Sequence, residues 1–257
     1  MRAFCGEPIH GTAMHLAGNP CRVQLHDRAP DAVPALGSTV CATWPLDERR
    51  AAVNCWSADG SRIAICGHGM LVCAALWNAH WGTPGELVCG DMIVRCEHRP
   101  PDTWLGFPAI AVQACEPPQW LQPLLGVAPV ACARAGGPRD YLVAELERGH
   151  DLTRVSPPGV ALGAHTERAL VVTCRVDPAS ARSGEDIHYR YFAPQYGTPE
   201  DTATGSAMRV MNEYWRLREG LTRLTAVQCS PRGGLLRGAL RDGRSWVGGA
   251  CTEADCE

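Results

Sequence analysis

The chain lacks the excess of positive charge that nucleic-acid-binding proteins carry. Its 257 residues include 24 basic and 27 acidic side chains, for a formal net charge of −3. Without a basic surplus the protein cannot gain the counterion release that drives binding to a phosphate backbone. Nucleic acid is therefore not an expected partner.

The sequence also lacks any run of about eighteen consecutive apolar residues, the length that a membrane-spanning helix needs. Residues 1–7 contain no apolar stretch of the kind that a secretory signal requires. We therefore expect no membrane partner, and we expect the protein in the cytoplasm.

The fourteen cysteines include no Cys-x-x-Cys pair, and their spacings are irregular. Several lie inside apolar runs, as Cys73 does within residues 72–76. This usage indicates reduced thiols packed as small hydrophobic side chains and not a disulfide framework. Zinc held by Cys251, Cys256 and histidines is an alternative that the spacing disfavours, so we expect no metal.

One short segment occurs twice in the chain. Cys66–Val72 and Thr204–Val210 align at a constant offset of 138 residues (205 − 67), which also brings Trp77 onto Trp215. Self-similarity at one interval, slightly more than half the chain length, indicates two related lobes and not a solenoid.

Each copy of this segment is a turn of small residues that opens a helix. Such a turn presents unpaired N–H groups and the positive end of the helix dipole where glycine lets a ligand approach. Two such turns facing each other could hold one anion between them. Because most helix N-termini bind nothing, the repeat alone leaves open whether there is a ligand site.

Stop signals and apolar patterns predict two helices among strands. The helices are expected at about Gly69 to Trp81 and Ser206 to Leu217, the latter stopped by Gly220. The proline-rich segment 116–119 predicts a lobe boundary, giving lobes 1–117 and 118–244, with a C-terminal strand near 245–257 completing the first. Strands are predicted at residues 21–25, 51–56, 63–65, 87–89, 93–96, 141–144, 169–174 and 187–192.

Several segments carry a resemblance to a known family. They are Gly18-Asn19-Pro20, residues 65–68 (ICGH), 105–108 (LGFP), 136–143 (GGPRDYLV) and 192–207, which include the specific block EDTATGSA. Over nearly its whole length the chain resembles the PhzF, or phenazine biosynthesis-like, family. The resemblance implies an α+β fold of two pseudo-symmetric lobes, each a barrel-like β-sheet wrapped around a central helix, as in diaminopimelate-epimerase-like proteins. It also implies a cofactor-free isomerase or epimerase, often homodimeric, that moves a proton on a small carboxylic acid in the cleft.

Site residues follow from the same resemblance. His68 and Asp201 match the family's catalytic histidine and aspartate, and its substrate-gripping turns match Gly67, Gly69, Gly205 and Ser206. Proton transfer at carbon needs an acid and a base, and a means of holding the charge that develops. His68 titrates near neutral pH, and its place at a helix N-terminus favours a neutral, proton-accepting ring. A histidine bonded within its turn and an aspartate acting as a cap are the alternative interpretations.

One position departs from the family. Its main acid/base is a glutamate about thirty residues before the histidine, where this chain has Thr39 and no acidic residue between positions 32 and 46. A threonine hydroxyl is not a comparable base near neutral pH unless another group activates it. Either another group moves the proton, or the protein no longer performs the reaction.

Cys66 is a candidate replacement, because a thiolate at a helix N-terminus has a lowered pKa. The related diaminopimelate and proline epimerases use a cysteine at this place as a base. Ala203 is the expected counterpart in the second half, so a symmetric pair of thiols is not available. Packing is the alternative role for Cys66, and Cys41 is a second candidate near Thr39. Arg209 either contacts a substrate carboxylate or faces solvent.

Two functions therefore stand. The first is an isomerase in which Asp201 and His68, aided by Cys66 or Thr39, move a proton on a small carboxylate. The second is a binding protein on the same scaffold that has lost catalysis, which the fold alone does not exclude.

The cysteine usage gives a direct test. Thiol titration of the denatured, unreduced protein should recover nearly all fourteen thiols, since the spacing and the expected reducing compartment disfavour disulfides. The same titration after reduction is the control. Recovery of only a few thiols before reduction would show a chain built on disulfides.

Overall fold

The computed structural model describes residues 1–5, 16–30, 37–82 and 84–253. Up to the predicted lobe boundary the elements are β1 (Arg2–Cys5), β2 (Asn19–Pro20), β3 (Arg22–Leu25), β4 (Val40–Pro45), β5 (Arg50–Trp56), β6 (Arg62–Ile63), α1 (Gly67–Trp81), β7 (Glu86–Cys89), β8 (Met92–Arg99), β9 (Asp102–Pro108) and β10 (Val112–Cys115). After it come α2 (Leu121–Leu125), β11 (Ala131–Ala135), β12 (Tyr141–Glu145), α3 (Leu162–His165), β13 (Ala169–Arg175), β14 (Ile187–Phe192), α4 (Gly205–Glu219), β15 (Arg223–Gln228), β16 (Gly234–Arg241) and β17 (Arg244–Thr252).

The sequence repeat is a structural repeat. Helices α1 and α4 both have 15 residues and begin and end at the same offset. Their N-caps, Cys66 and Thr204, have nearly the same backbone conformation, with φ −121° and ψ 91° in the first and φ −115° and ψ 99° in the second. Glycine ends both helices, at Gly82 and Gly220. The counterpart of Cys66 is thus Thr204, and the expected match to Ala203 was one residue off.

The strand order repeats as well. β3 and β4 pair in parallel, β4 and β5 antiparallel, β5 and β7 in parallel, and β7, β8 and β9 antiparallel in turn. The same alternation runs through β12, β13, β14, β15, β16 and β17. β9 then pairs antiparallel with β17, which also pairs with β1. The two halves of the molecule are therefore joined edge to edge through hydrogen-bonded ladders, among them that of β9 with β17.

Each long helix lies against the sheet of its own half. Helix α1 contacts β1, β3, β4, β5, β8, β9 and β17, and α4 contacts β10, β15, β16 and β17. The indole of Trp77 donates to Thr43 Oγ1 over 2.9 Å, and that of Trp215 donates to Thr173 Oγ1 over 3.4 Å. Because α1 is apolar on all sides of its first two turns, it is buried as a core helix. The α+β fold with two pseudo-symmetric lobes is thus confirmed.

The predicted bounds of the strands and helices differ from those of the structure by a few residues. The predicted strands are present, although the segment 63–65 is a strand only as far as Ile63. Both helices begin earlier than predicted, at Gly67 and Gly205, because the glycines of each turn already have helical geometry. The lobe division at 117 stays a prediction, and β10, which precedes it, pairs with β11 of the second half.

The thirteen cysteines in the described ranges are free thiols, ten of them buried. Cys251 is half-buried, and Cys256 of the disfavoured zinc set lies outside the described residues. Among the helices of the described part of the chain, none has both the length and the apolar character needed to cross a bilayer.

The two helix N-termini contact each other backbone to backbone. A Cβ built on Gly67 would lie 3.0 Å from Ser206 N and 3.1 Å from Gly205 Cα. One built on Gly205 would lie 2.9 Å from the Phe4 ring and 3.4 Å from Gly67 Cα. Glycine is required at position 67 because backbone atoms of the opposite turn occupy the space that a side chain would fill, and at position 205 because the Phe4 ring occupies that space.

Replacing Gly67 with alanine should therefore destabilise the fold. Alanine favours a helix over glycine by about 1 kcal/mol, but a clash with backbone cannot relax by rotating a side chain. We expect Gly67→Ala to lower the free energy of unfolding in urea by about 1–3 kcal/mol. Gly163→Ala is the control, since its Cβ would meet Gln195 Cβ at an ordinary 3.5 Å. Equal losses in the two variants would contradict the close contact.

Candidate active site

The site predicted from the repeat lies where α1 and α4 meet. No side chain caps either helix, although the first-turn N–H groups have no partner within the helix. Gly67, Gly69 and Gly205 are buried, and Ser206 is half-buried. Two sets of N–H groups that have no partner within their own helix, each with a positive dipole end behind it, therefore lie side by side.

Asn19 joins the two predicted catalytic residues. Its Nδ2 donates to Asp201 Oδ1 over 2.7 Å and to Ala203 O over 3.1 Å, and it lies 3.3 Å from His68 Nδ1. His68 and Asp201 therefore both contact one amide nitrogen, well inside the separation of about 15 Å that one small ligand could not bridge. The structure brings these two residues together from opposite halves of the chain.

The backbone around Gly18 sets the position of Asn19. Gly18 has a φ of +70°, and a Cβ there would lie 2.3 Å from Ala3 O. Its N–H donates to Gly233 O over 3.1 Å. Only glycine fits this left-handed, closely packed position, which directs the next residue between the two turns.

Asp201 is fixed by hydrogen bonds to both carboxylate oxygens. Oδ1 also accepts from Thr202 N over 2.9 Å, and Oδ2 accepts from Thr204 Oγ1 over 2.7 Å. Gln228 on β15 donates to the Asp201 carbonyl over 2.6 Å and accepts from Thr204 N over 2.7 Å. These hydrogen bonds hold the Asp201 carboxylate in one orientation.

Cys66 and His68 form a close pair at the start of α1. Cys66 Sγ lies 3.6 Å from His68 Nδ1 and 3.7 Å from Nε2. Hydrogen bonds from Cys41 and Cys55 hold the pKa of the Cys66 thiol well below its ordinary value, against the effect of burial. Burial lowers the pKa of His68, but Cys66 and then Asp201 raise it to about 10. These shifts favour an imidazolium beside a thiolate, whereas the helix N-terminus alone favours the neutral ring.

Thr39 lies directly before β4 and is half-buried. Continuing the side-chain alternation of β4 back by one residue would place Thr39 on the same face as Cys41. Cys41 is fully buried on that face, and its sulfur packs against Gly69 in the first turn of α1. The position that the family glutamate would take is therefore on the side of β4 that faces α1.

Arg209 neither faces open solvent nor leaves its guanidinium free. Its Nε donates to Pro108 O over 2.8 Å and its Nη2 to Ala109 O over 3.3 Å, which ties α4 to the end of β9.

Burial raises the pKa of the nearby Tyr141 phenol, while a hydrogen bond with Ser206 opposes the rise. A tyrosine hydroxyl thus lies beside the second turn.

Sequence reasoning missed three residues of this network: Asn19, Thr204 and Gln228. The sequence did hold a signal for Asn19, because the Gly-Asn-Pro segment is one of those that resemble the family. Thr204 was visible as the residue before the second turn. Gln228 carried no signal, since nothing local distinguishes it from other strand residues.

Two cavities of the described residues lie away from the two turns. One of about 820 Å³ is lined mainly by charged side chains, among them Asp47, Arg50 and Glu97. Another of about 640 Å³ includes His150, His188 and Arg190. Neither is lined by a residue of the two turns. Cavity size therefore does not identify the site, which is defined by converging polar groups.

Solved structures share this architecture. A PhzF family phenazine biosynthesis protein of Enterococcus faecalis is 22% identical, with a TM-score of 0.78 over 97% of this chain and 93% of that one. A hydroxyproline epimerase of Agrobacterium vitis with bound trans-4-hydroxy-L-proline is 14% identical, with a TM-score of 0.51 over 84% of this chain and 74% of that one. At these identities the likeness shows the fold.

Sequence comparison shows the family. An uncharacterized isomerase of Pseudomonas aeruginosa is 30% identical over 197 residues, which are 76% of this chain and 72% of that protein. A human phenazine biosynthesis-like domain-containing protein is 42% identical over 78 residues, 30% of this chain and 27% of its own length. The family model for phenazine biosynthesis-like proteins matches residues 108–245. With the repeated lobes and the paired turns in place, the chain belongs to the phenazine biosynthesis-like (PhzC-PhzF) family.

Proposed function

We propose that this protein is a cofactor-independent isomerase or epimerase that moves a proton on a small carboxylic acid. One observation carries the proposal: Asn19 Nδ2 contacts both His68 and Asp201 where two uncapped helix N-termini meet. The similar protein of Pseudomonas aeruginosa is an uncharacterized isomerase, which supports this class of reaction. Secondary metabolism is a further expectation from the family resemblance.

The uncapped turns supply the binding site for the carboxylate. The first-turn N–H groups at Gly67, Gly69, Gly205 and Ser206 are the donors we assign to it, because buried donors without partners favour an anion. Two solved structures of similar fold support a small acid as the substrate. One is the epimerase with bound hydroxyproline, and the other is a probable proline racemase with bound carbonate.

Asp201 is the proton acceptor in this proposal. Its carboxylate is held by Asn19 and Thr204, so it keeps a fixed orientation toward the meeting point of the turns. The His68 imidazolium stabilises negative charge as it develops on the substrate carboxylate, a role that needs a positive group already in place. Cys66, as the thiol formed when its sulfur takes the His68 proton, or the Thr39 hydroxyl would return a proton to the substrate carbon, and the resemblance places a glutamate for this task where the chain has Thr39.

The alternative is a small-carboxylate binding protein that has lost catalysis. Thr39 favours it, because the position carries no group of suitable pKa. The two functions differ in one measurement: an isomerase exchanges a substrate C–H proton with deuterium oxide, whereas a binding protein only raises the melting temperature with the acid present.

Two further expectations belong to this proposal. The first is a homodimer, as in many family members. The second is a cytoplasmic location, which the free thiols of the described residues support because cytoplasmic proteins keep cysteines reduced.

Asp201→Asn should abolish proton exchange. Asparagine keeps the size of the side chain but cannot take a proton, and losing one positioned acid/base group lowers a rate about 10²- to 10⁴-fold. The measurement is deuterium incorporation, followed by NMR, into a panel of small amino and hydroxy acids. Asp177→Asn is the control, because this carboxylate caps a distant turn at Ala179 N. Unchanged exchange in Asp201→Asn, with loss in Cys66→Ser, would assign the base to the thiol.

Thr39→Glu should raise the exchange rate if the rest of the site is intact. The change puts a carboxylate on the face of β4 toward α1, where burial also raises its pKa and so suits it to proton transfer near neutral pH. Thr39→Gln has the same size without the titrating group and is the matched control. Equal rates in the two variants would show that a carboxylate at position 39 does not reach the substrate.

A further inference from the structure

Three cysteines from three different elements converge beneath the first turn of α1. Cys41 lies on β4, Cys55 lies opposite it on β5, and Cys66 is the N-cap of α1. Their Sγ atoms all lie within 4.8 Å of one another, and their exposed fractions are 0%, 0% and 4%. A buried cluster of three thiols is a far more specific arrangement than a lone cysteine.

The spacing of these sulfurs fits one metal ion. A thiolate bond to zinc is about 2.3 Å, so the sulfurs around one ion lie about 4 Å apart in a trigonal or tetrahedral arrangement. The observed limit of 4.8 Å allows this with small side-chain adjustments. Cys21 Sγ lies a further 3.6 Å from Cys41 Sγ and adds a fourth polarisable sulfur beside the group.

Glycine at position 69 leaves room for the cluster. A Cβ there would lie 2.3 Å from Cys41 Sγ, 3.2 Å from Cys55 Sγ and 3.1 Å from Cys66 Sγ. The three sulfurs therefore surround a single backbone position that no side chain fills. This glycine serves the thiol cluster as well as the turn.

We propose that Cys41, Cys55 and Cys66 form a binding site for one thiophilic d10 cation, of the Cu(I) or Zn(II) kind. Soft thiolate ligands select these ions over Mg²⁺ and Ca²⁺. On binding, each S–H proton still present leaves to solvent and three metal–sulfur bonds form, with no change of oxidation state. The N-terminus of α1 offsets part of the negative charge of the three thiolates.

The bound ion would inhibit the candidate active site. Cys66 Sγ is 3.6 Å from His68 Nδ1, so an ion bound to this sulfur removes it as a partner of the histidine. This consequence rests on the proposed isomerase function, whereas the binding site itself does not. The ion acts here as a regulator and takes no part in the reaction.

Binding is measured on the reduced full-length protein with Cd²⁺ as the probe, because cadmium–thiolate bonds absorb in the ultraviolet. We expect the absorbance to saturate at one ion per chain that survives gel filtration, together with a higher melting temperature. Separate competition arms with Zn²⁺ and with Cu(I) under anaerobic conditions identify which ion displaces Cd²⁺.

Cys41→Ala and Cys55→Ala should each lose the retained ion and the rise in melting temperature. Cys96→Ala is the matched control, because Cys96 is also buried in the same core but stands outside the cluster. The melting curve of each metal-free variant shows that it is folded, and the two variants test the site independently. Retention of one ion in both variants, or no retained ion in the wild type, would overturn the proposal.

The inhibitory consequence has its own readout. Cd²⁺ should stop deuterium exchange in the wild type and in Cys96→Ala, and should leave Cys55→Ala at its own metal-free rate. If no acid exchanges at all, the proposed function fails while the binding and melting measurements still decide the metal site. Exchange that continues in the metal-loaded wild type would refute inhibition.

Discussion

The structure depends on one contact, the backbone-to-backbone approach of the Gly67 and Gly205 turns. With 3.0 Å between a would-be Cβ and Ser206 N, neither turn can carry a side chain there. The contact fixes the start of each long helix against the other. It also explains why no side chain caps either helix, since a capping group would need the space that the opposite turn occupies. The donors left over are what makes the place suitable for an anion.

Two electrostatic effects oppose each other at His68. The helix N-terminus disfavours a positive ring by about 0.3–2 kcal/mol, which is at most about one to two pKa units because a unit is about 1.4 kcal/mol. The pKa of His68 nevertheless rises from 6.5 to about 10. Close negative groups therefore outweigh the dipole, because a thiolate at 3.6 Å acts over a much shorter distance than the partial charges of the turn. Sequence reasoning weighed the dipole alone, whereas the neighbouring Cys66 and Asp201 shift the pKa of His68 in the opposite direction.

Much of the fold could be predicted from the sequence, because its signals are local or repeated. Glycines at the ends of α1 and α4, apolar alternation in the strands and the offset between the two turns each have a direct physical meaning. The convergence of the turns followed from the repeat and the family resemblance together. Asn19 and Gln228 were not predicted as site residues, because their roles arise from long-range packing that brings distant strands to one point.

The thiol cluster also depends on long-range packing and so was not predicted from the sequence. Metal-site motifs are found by short spacings, and the expected absence of zinc was argued on that ground. Cys41, Cys55 and Cys66 are instead brought together by strand pairing and by the start of α1, so their proximity depends on the register between β4 and β5.

The two lobes differ in the residues at the start of their helices. The turn of the second lobe begins with Thr204, whose hydroxyl donates to Asp201. The turn of the first lobe begins with Cys66, whose sulfur pairs with His68. The pseudo-symmetric backbone thus presents a carboxylate on one side and a cysteine paired with a histidine on the other. In the proposed reaction Asp201 takes a proton from the substrate carbon, and the side with Cys66 and His68 returns one.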